Sequence, residues 1–501
     1  MAFSLAEQSV LSIAGASFCC FLSYLALRSL YRITLHPLAS YPGPTTWSIS
    51  DLPTAYQTLR GTLPFKLVSL HARYGPVVRI GPNELTYIVE EAWTDIYARK
   101  VELRKDANQY VFVGAETVPG LLTAPDEAAH SRMRRNLAHG FSEKALRDQE
   151  YIIRGYVDLL MQRLHENCGQ GTVDIAKWLN FASFDIIGDL TFGESFSCLE
   201  TSKMHFWVQL VFDTLKSVSL LGLMKKFSPL DKMLLSLLPQ SAREKQEEHI
   251  TLTEAKLMRR LESQDGRLDF LSEVQKQFNT PSGMTKTELL PTASTLIMAG
   301  SETTATLLSA TSYLILTHPS SLSKLQAEVR NAFKTEEEIN IVSVNSLSYM
   351  LAILNEALRL YPPSPASFNR VTPAAGCQIA GRFVPGNTSV AVNQWSANHS
   401  PTNFVRPDEF VPERWMGGDG DGDGEFAGDS RRAVQPFGVG RRDCIGRNLA
   451  YAEMRLILAR LVWNFDMETA GESRGWMENL RIFLVYEKRP LMVHLKPVVR
   501  G

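Results

Sequence analysis

Residues 436–453 read PFGVGRRDCIGRNLAYAE, which sets Cys444 among closely spaced glycines and arginines. A thiolate is a soft, anionic ligand for a metal, and the N–H groups opening a helix stabilise it. The sequence from Gly446 onward predicts such a helix. Gly438 and Gly440 relieve the steric limits of a tight backbone approach, and Gly446 lets the helix pack close to a flat cofactor. Arg442 carries the charge to meet an anionic substituent of that cofactor and places a positive field near the sulfur. Taken singly, a cysteine is more often an inert buried residue, so the specificity lies in the combination of Phe437, Gly440, Arg442, Cys444 and Gly446. The other cysteines, Cys19, Cys20, Cys168, Cys198 and Cys377, show no zinc-type spacing and are too sparse for a disulfide scaffold. A reducing compartment is the expectation.

A second group with chemical potential lies in residues 296–306, LIMAGSETTAT. Ala299 and Gly300 leave room for a flat ring and a diatomic ligand beside a helix. Glu302 and Thr303 interrupt an otherwise apolar run. A buried carboxylate needs partners or a proton, so Glu302 is costly as mere filling. Thr303 can cap a carbonyl locally or hydrogen-bond water at a distorted turn. The plainer alternative is a core helix with one acidic edge. Glu302 and its small polar neighbours argue against a membrane-crossing helix here. Two further patterns place charges on one helical face: His130 with Arg134, four apart, and Glu356 with Arg359, three apart.

Elements of some size are needed to hold these groups together. The 501 residues (56.1 kDa) are 45% hydrophobic, and 52 basic against 53 acidic residues leave a net charge of −1. That balance supports a large core and gives no concentrated basic surface for a nucleic-acid partner. Helical periodicity predicts helices over residues 129–137, 143–166, 204–220, 242–262 and 287–316. Alternation predicts strands over 77–80, 85–89 and 482–486. The fold class is therefore mainly α with a smaller β region. Residues 10–30 are largely apolar, and 11–27 are just long enough to cross hydrocarbon, with Arg28 and Arg32 as a basic flank. A retained membrane anchor over 1–30 is expected ahead of a cleaved signal peptide, because the chain start has Glu7 and no positive leader region. Pro37, Pro42 and Pro44 make 31–50 a stiff connector, and 51–501 is read as one catalytic domain. Residues 417–429, GGDGDGDGEFAGD, read as a solvent-exposed acidic loop rather than a calcium site, which would need a regular ligand pattern.

The arrangement around Cys444 resembles the complete haem-binding signature of the cytochrome P450 superfamily, and the other landmarks follow in the family's order across almost the whole chain. The resemblance implies haem b with Cys444 as axial iron ligand, Phe437 shielding the proximal side, and Arg442 on a propionate. His130, Arg134 and Arg370 are implied as further haem contacts, His130 standing where family members often carry tryptophan. AGSET resembles the oxygen-activation motif, with Thr303 organising hydrogen bonds to bound dioxygen and Glu302 relaying protons. Glu356 and Arg359 resemble a scaffold pair that locks onto an arginine of a later element, here Arg414 of PERW.

LHPL, YPGP, AGSET, PERW and VYEKRPL together look like filamentous-fungal enzymes of secondary metabolism, among them trichothecene hydroxylases and oxidases of aflatoxin or sterigmatocystin pathways. A hydrophobic polyketide or terpenoid substrate follows. So do electrons from NADPH through a separate reductase, with cytochrome b5 as a second donor, and a single-pass endoplasmic-reticulum protein with a cytosolic body. Hydroxylation is the expected outcome. Desaturation and ring formation branch from it, and an electron-independent isomerase or a haem-binding sensor are the remaining alternatives. Pocket residues are expected within 111–122, 206–223, 365–368 and 476–483 and at Ile297, and the apolar stretch 218–224 is expected to touch lipid. The sequons at Asn387 and Asn398 are read as chance.

Overall fold

The computed structural model describes residues 2–109, 119–206, 219, 221–227, 232, 240–263, 266–417 and 424–500. Helix accounts for 57% of the chain and strand for 9%, which makes it mainly α. The organising element is the helix Lys286–Thr317, 32 residues and thus about 48 Å long. A capping box opens it: the Thr285 hydroxyl accepts from the Glu288 N–H, and the Glu288 carboxylate accepts from the Thr285 N–H. Near-continuous apolar and small residues let it be buried on most sides. It packs against the almost wholly buried helix Ile175–Phe192 and against Ser348–Leu360 and Arg447–Asn464.

The expected helices at 129–137 and 242–262 are present as Glu127–Ala138 and Gln240–Glu262. That at 143–166 is two helices, Glu143–Asp148 and Glu150–Asn167, because buried Gln149 turns its side chain back to the Gly140 carbonyl. Most of 204–220 lies outside the described residues.

The strands are β1 (Val77–Gly81), β2 (Glu84–Tyr87), β3 (Arg104–Lys105), β4 (Val173–Asp174), β5 (Arg370–Val371), β6 (Cys377–Ile379), β7 (Arg382–Val384), β8 (Ser389–Val392), β9 (Phe465–Thr469) and β10 (Met492–Pro497). The main sheet runs β1-β2-β8-β5-β3, with only β2 and β8 parallel. Its far edge pairs Lys105 with Arg370, which brings two cations side by side next to the Cys444 loop. β4, β10 and β9 form a second sheet, and β6 with β7 a hairpin. Residues 482–486 are not a strand: a single bridge joins Ile482 to Tyr486 across a tight turn.

The N-terminal helix Ala2–Thr34 continues past residue 30 into the expected connector, and within it Ser12–Thr34 is long and apolar enough to cross a membrane. The connector itself holds a short helix, Thr45–Ile49. Buried Arg79 of β1 ties this region together. It donates to the carbonyl of Arg32 at 2.9 Å, of Pro82 at 2.7 Å and of Gly81 at 3.3 Å. Arg32 in turn donates to the Ile49 carbonyl. A cation at the C-terminal end of a helix also complements its dipole.

Candidate active site

Cys444 closes a loop in which its N–H donates to the Phe437 carbonyl at 2.7 Å. Gly440 makes that loop possible: its φ is +83°, and a Cβ there would run into the Tyr97 carbonyl. The helix Arg447–Asn464 starts directly after Gly446. Burial pushes the Cys444 thiol up, while the Gly446 N–H, Arg134 and Arg447 pull it down. Yet the residue is exposed to a water-sized sphere. Strong desolvation together with exposure means that the sulfur faces an internal slot rather than the outer surface. Phe437 is half-buried beside it, its ring 5.2 Å from that of Tyr451.

The oxygen-side helix shows the same contrast. Ile297, Ser301, Glu302 and Thr304 are buried, but Ala299 is exposed and Thr303, one turn on, is half-buried. Small side chains thus form an open internal face. The Thr303 hydroxyl donates to the Ala299 carbonyl at 2.6 Å, leaving its oxygen free to accept from a ligand. Glu302 is 1% exposed. Burial raises its pKa, against the pull of Lys488 and Thr306.

A group of basic side chains lies at one end of the slot. His130 is buried and held neutral, pushed down to about 4 by burial and by Arg442, Lys105 and Arg134. Lys105 is pushed down to about 6 by burial, then Arg442 and Arg370. Arg442 donates to Glu102 at 2.7 Å and to the Ala124 carbonyl at 2.9 Å, and Arg370 lies over the Tyr97 ring. These basic side chains suit a dianionic ligand, whose charge would draw His130 and Lys105 toward their protonated forms. Arg134 is placed differently from the sequence expectation. Its guanidinium grips Asp443, the residue before Cys444, through both the side chain and the carbonyl at 2.6 Å. Sequence reasoning missed Lys105 and Glu102, since a two-residue strand gives no periodic signal. It also gave no role to Glu453, buried and pushed up to about 8 by burial with the Thr304 hydroxyl opposing.

An accessible thiol, a facing strip of small residues and a basic end fit a flat, dianionic, iron-bearing macrocycle. Beneath the slot, Glu356, Arg359 and Arg414 form the expected network with side chains fully buried. Arg359 meets both Glu356 oxygens at 2.7 and 2.9 Å, and Arg414 meets one at 3.0 Å. Trp415 and the Val411 N–H complete the carboxylate's shell. Arg414 also grips Asp429, whose side chain is fully buried. Of the acidic stretch, residues 424–428 are mostly exposed as expected and only Asp429 at its end turns its side chain inward, while 418–423 lie outside the described residues.

Of the expected pocket residues, Ile297 and Trp476 are core. Ala366, Ser367 and Phe483 line a cavity of about 150 Å³ that Glu84 and Lys226 also border. It does not reach Cys444 or Thr303. Residues 111–118 and most of 206–220 lie outside the described residues. Asn398 is fully buried and donates to the Arg359 carbonyl at 2.8 Å, so the folded protein offers that sequon no access to a glycan.

The chain matches the family model described as Cytochrome P450 over residues 41–494. It is 43% identical over 470 residues to averantin hydroxylase of Dothistroma septosporum, covering 93% of this chain and 88% of that one. It is 43% identical over 478 residues to the cytochrome P450 monooxygenase astA of Talaromyces wortmannii, covering 95% of both. With trichothecene C-15 hydroxylase of Fusarium sporotrichioides the identity is 41% over 480 residues, 95% and 96% of the two chains. Matches of this length include the Cys444 loop, the Glu302–Thr303 helix and the scaffold beneath them, and so the chain belongs to the cytochrome P450 family and is a P450 monooxygenase.

Proposed function

We propose that this monooxygenase hydroxylates a hydrophobic polyketide or terpenoid intermediate of fungal secondary metabolism. Hydroxylases among its relatives at 41–44% identity support this reading, and the observation that carries it is the accessible Ala299–Thr303 face with the buried Glu302 carboxylate next to it. P450 monooxygenases draw on redox partners and bind hydrophobic substrates. Here the donor is NADPH–cytochrome P450 reductase, with cytochrome b5 as an accessory. The N-terminal helix is the single membrane span, and the body lies on the cytosolic side of the endoplasmic reticulum as one domain after the connector.

In this reading Cys444 would hold the iron of haem b through its thiolate, Phe437 would cover the cofactor on that side, and Gly446 would allow the close approach of a flat ring. Arg442, His130 and Arg370 hold the propionates. Arg134 acts at one remove by fixing Asp443 and so the loop that carries the sulfur. When bound, the thiolate-ligated haem supplies the activation of dioxygen. The chain's own residues orient and protonate. The open Ala299–Thr303 face excludes bulk while leaving one hydroxyl, and Thr303 offers that hydroxyl as a hydrogen-bonding partner. Glu302 relays protons from solvent to it.

Comparing metabolites of the native producer with and without this gene by high-resolution mass spectrometry tests the reading. A missing product heavier than its accumulated precursor by one oxygen supports hydroxylation. A loss of two hydrogens would replace it with desaturation or ring closure, and an isomeric pair with electron-independent chemistry. Thr303→Ala is expected to keep haem and substrate binding but to lower product per NADPH by about tenfold or more, with hydrogen peroxide rising in step. Unchanged product per NADPH would remove Thr303 from the mechanism.

A further inference from the structure

The motif VYEKRPL, residues 485–491, ends far from Cys444 in sequence but reaches the oxygen-side helix. Lys488 Nζ donates to the Glu302 carboxylate at 3.0 Å and to Asn180 Oδ1 at 3.2 Å. The Thr306 hydroxyl donates to Glu302 Oε1, also at 3.0 Å, an oxygen that Lys488 reaches as well. Three elements therefore converge: the central helix, the helix Ile175–Phe192 and the C-terminal segment. Side-chain exposure falls from 8% at Lys488 to 1% at Glu302, so the ammonium is the outer member of the pair. Close by, the rings of Tyr361 and Tyr486 stack at 3.9 Å and 15°. Both hydroxyls are buried, and neither meets a hydrogen-bond partner among the described residues. Tyr361 is near enough to Glu302 for the carboxylate to raise the phenol further, after burial.

Such an enclosure has room for few roles. A lone carboxylate would lose its charge in so dry a setting, whereas a paired one stays ionised and is oriented by its partner. Thr303 points its hydroxyl at Ala299 on the open face, while Glu302 and Thr306 share the neighbouring face, toward Lys488. We infer that Lys488 is a positioning residue for oxygen activation: its ammonium holds the Glu302 carboxylate at an inlet between the helix Ile175–Phe192 and the C-terminal segment, from which protons reach the Thr303 face.

This rests on the reading of Glu302 as the proton carrier. Per turnover the substrate R–H, dioxygen, two electrons from NADPH through the external reductase and two protons give R–OH and water. The Glu302 carboxylate takes up a proton from water at the inlet and passes it inward, returning to its ionised form, and Lys488 keeps its own proton throughout.

The test uses the full-length holoenzyme with its reductase and the substrate identified by the metabolite comparison. Haem content, product per NADPH and peroxide per NADPH are measured for Lys488→Met, Lys488→Arg, Asn180→Ala and Glu302→Gln. Normalising to NADPH removes any effect that only lowers the amount of folded enzyme. Lys488→Met is expected to lose about fivefold or more in product per NADPH, with peroxide making up the difference, and Lys488→Arg to recover most of it. Asn180→Ala, which loosens the ammonium without removing a charge, gives an intermediate shift and serves if Lys488→Met does not fold. Wild-type partition in Lys488→Met, or in Asn180→Ala should the former fail to fold, while Glu302→Gln is uncoupled, overturns the assignment of Lys488 and leaves Glu302 in place. Wild-type partition in Glu302→Gln overturns the carrier reading itself.

Discussion

Cys444→Ala is expected to fold around the same helices and yet hold no thiolate-ligated haem. The band that thiolate ligation gives the ferrous–carbon monoxide complex should vanish, and monooxygenation should fall below detection. No other cysteine can take over. Cys198 is buried with its thiol pushed up to about 12, by burial first and then Asp185. Cys168 follows the helix Glu150–Asn167, and Cys377 lies in the β6–β7 hairpin. The loss is of chemistry rather than packing, since the slot already exposes the sulfur and alanine leaves the Phe437–Cys444 backbone bond intact. An unchanged spectrum would mean that another atom holds the iron.

Glu356→Ala should be nearly as damaging for a different reason. The carboxylate accepts from Arg359, Arg414, Trp415 and the Val411 N–H, with the charged side chains fully buried. Removing it leaves two guanidinium groups in the core, with Asp429 the remaining carboxylate on Arg414. Breaking a buried pair in this way costs about 3–5 kcal/mol, against a total stability of roughly 5–15 kcal/mol for a typical domain. The expected result is a large drop in Tm and in haem-loaded yield. A wild-type Tm would show that the network is not what holds the proximal scaffold.

The parts of this site that could be read in the sequence are those where geometry is local. Glu356 and Arg359 are one helical turn apart, and the glycines around Cys444 mark a tight loop before a helix. Ala299, Glu302 and Thr303 interrupt a long apolar run. What stayed hidden depends on contacts across the chain. Lys488 meets Glu302 across 186 positions, Arg442 meets Glu102 across 340, and neither pairing leaves a periodic trace. Asp429 looked like loop because it ends a Gly-Asp repeat, and only the tertiary fold turns it inward to Arg414. The break at Gln149 was invisible for a related reason: the apolar pattern runs on across it, and a single side chain hydrogen bond to the Gly140 carbonyl decides the matter. Residues 482–486 alternate like a strand but have no neighbour to pair with along their length, so the pattern yields one bridge.

Arg79 makes the N-terminal helix a lever. A guanidinium fixed inside the sheet and bonded to the Arg32 carbonyl prevents the helix from swivelling freely where it meets the body. The apolar part of the arm, Ser12–Thr34, is 23 residues, about 35 Å, a little more than the roughly 30 Å of bilayer hydrocarbon. A helix longer than its membrane tilts, and tilts more as the membrane thins. If the arm spans the bilayer as proposed, the clamped joint would turn that tilt into rotation of the catalytic body against the lipid surface. Bilayer thickness would then set the angle at which the protein presents itself to a dissolved substrate and to a docking reductase.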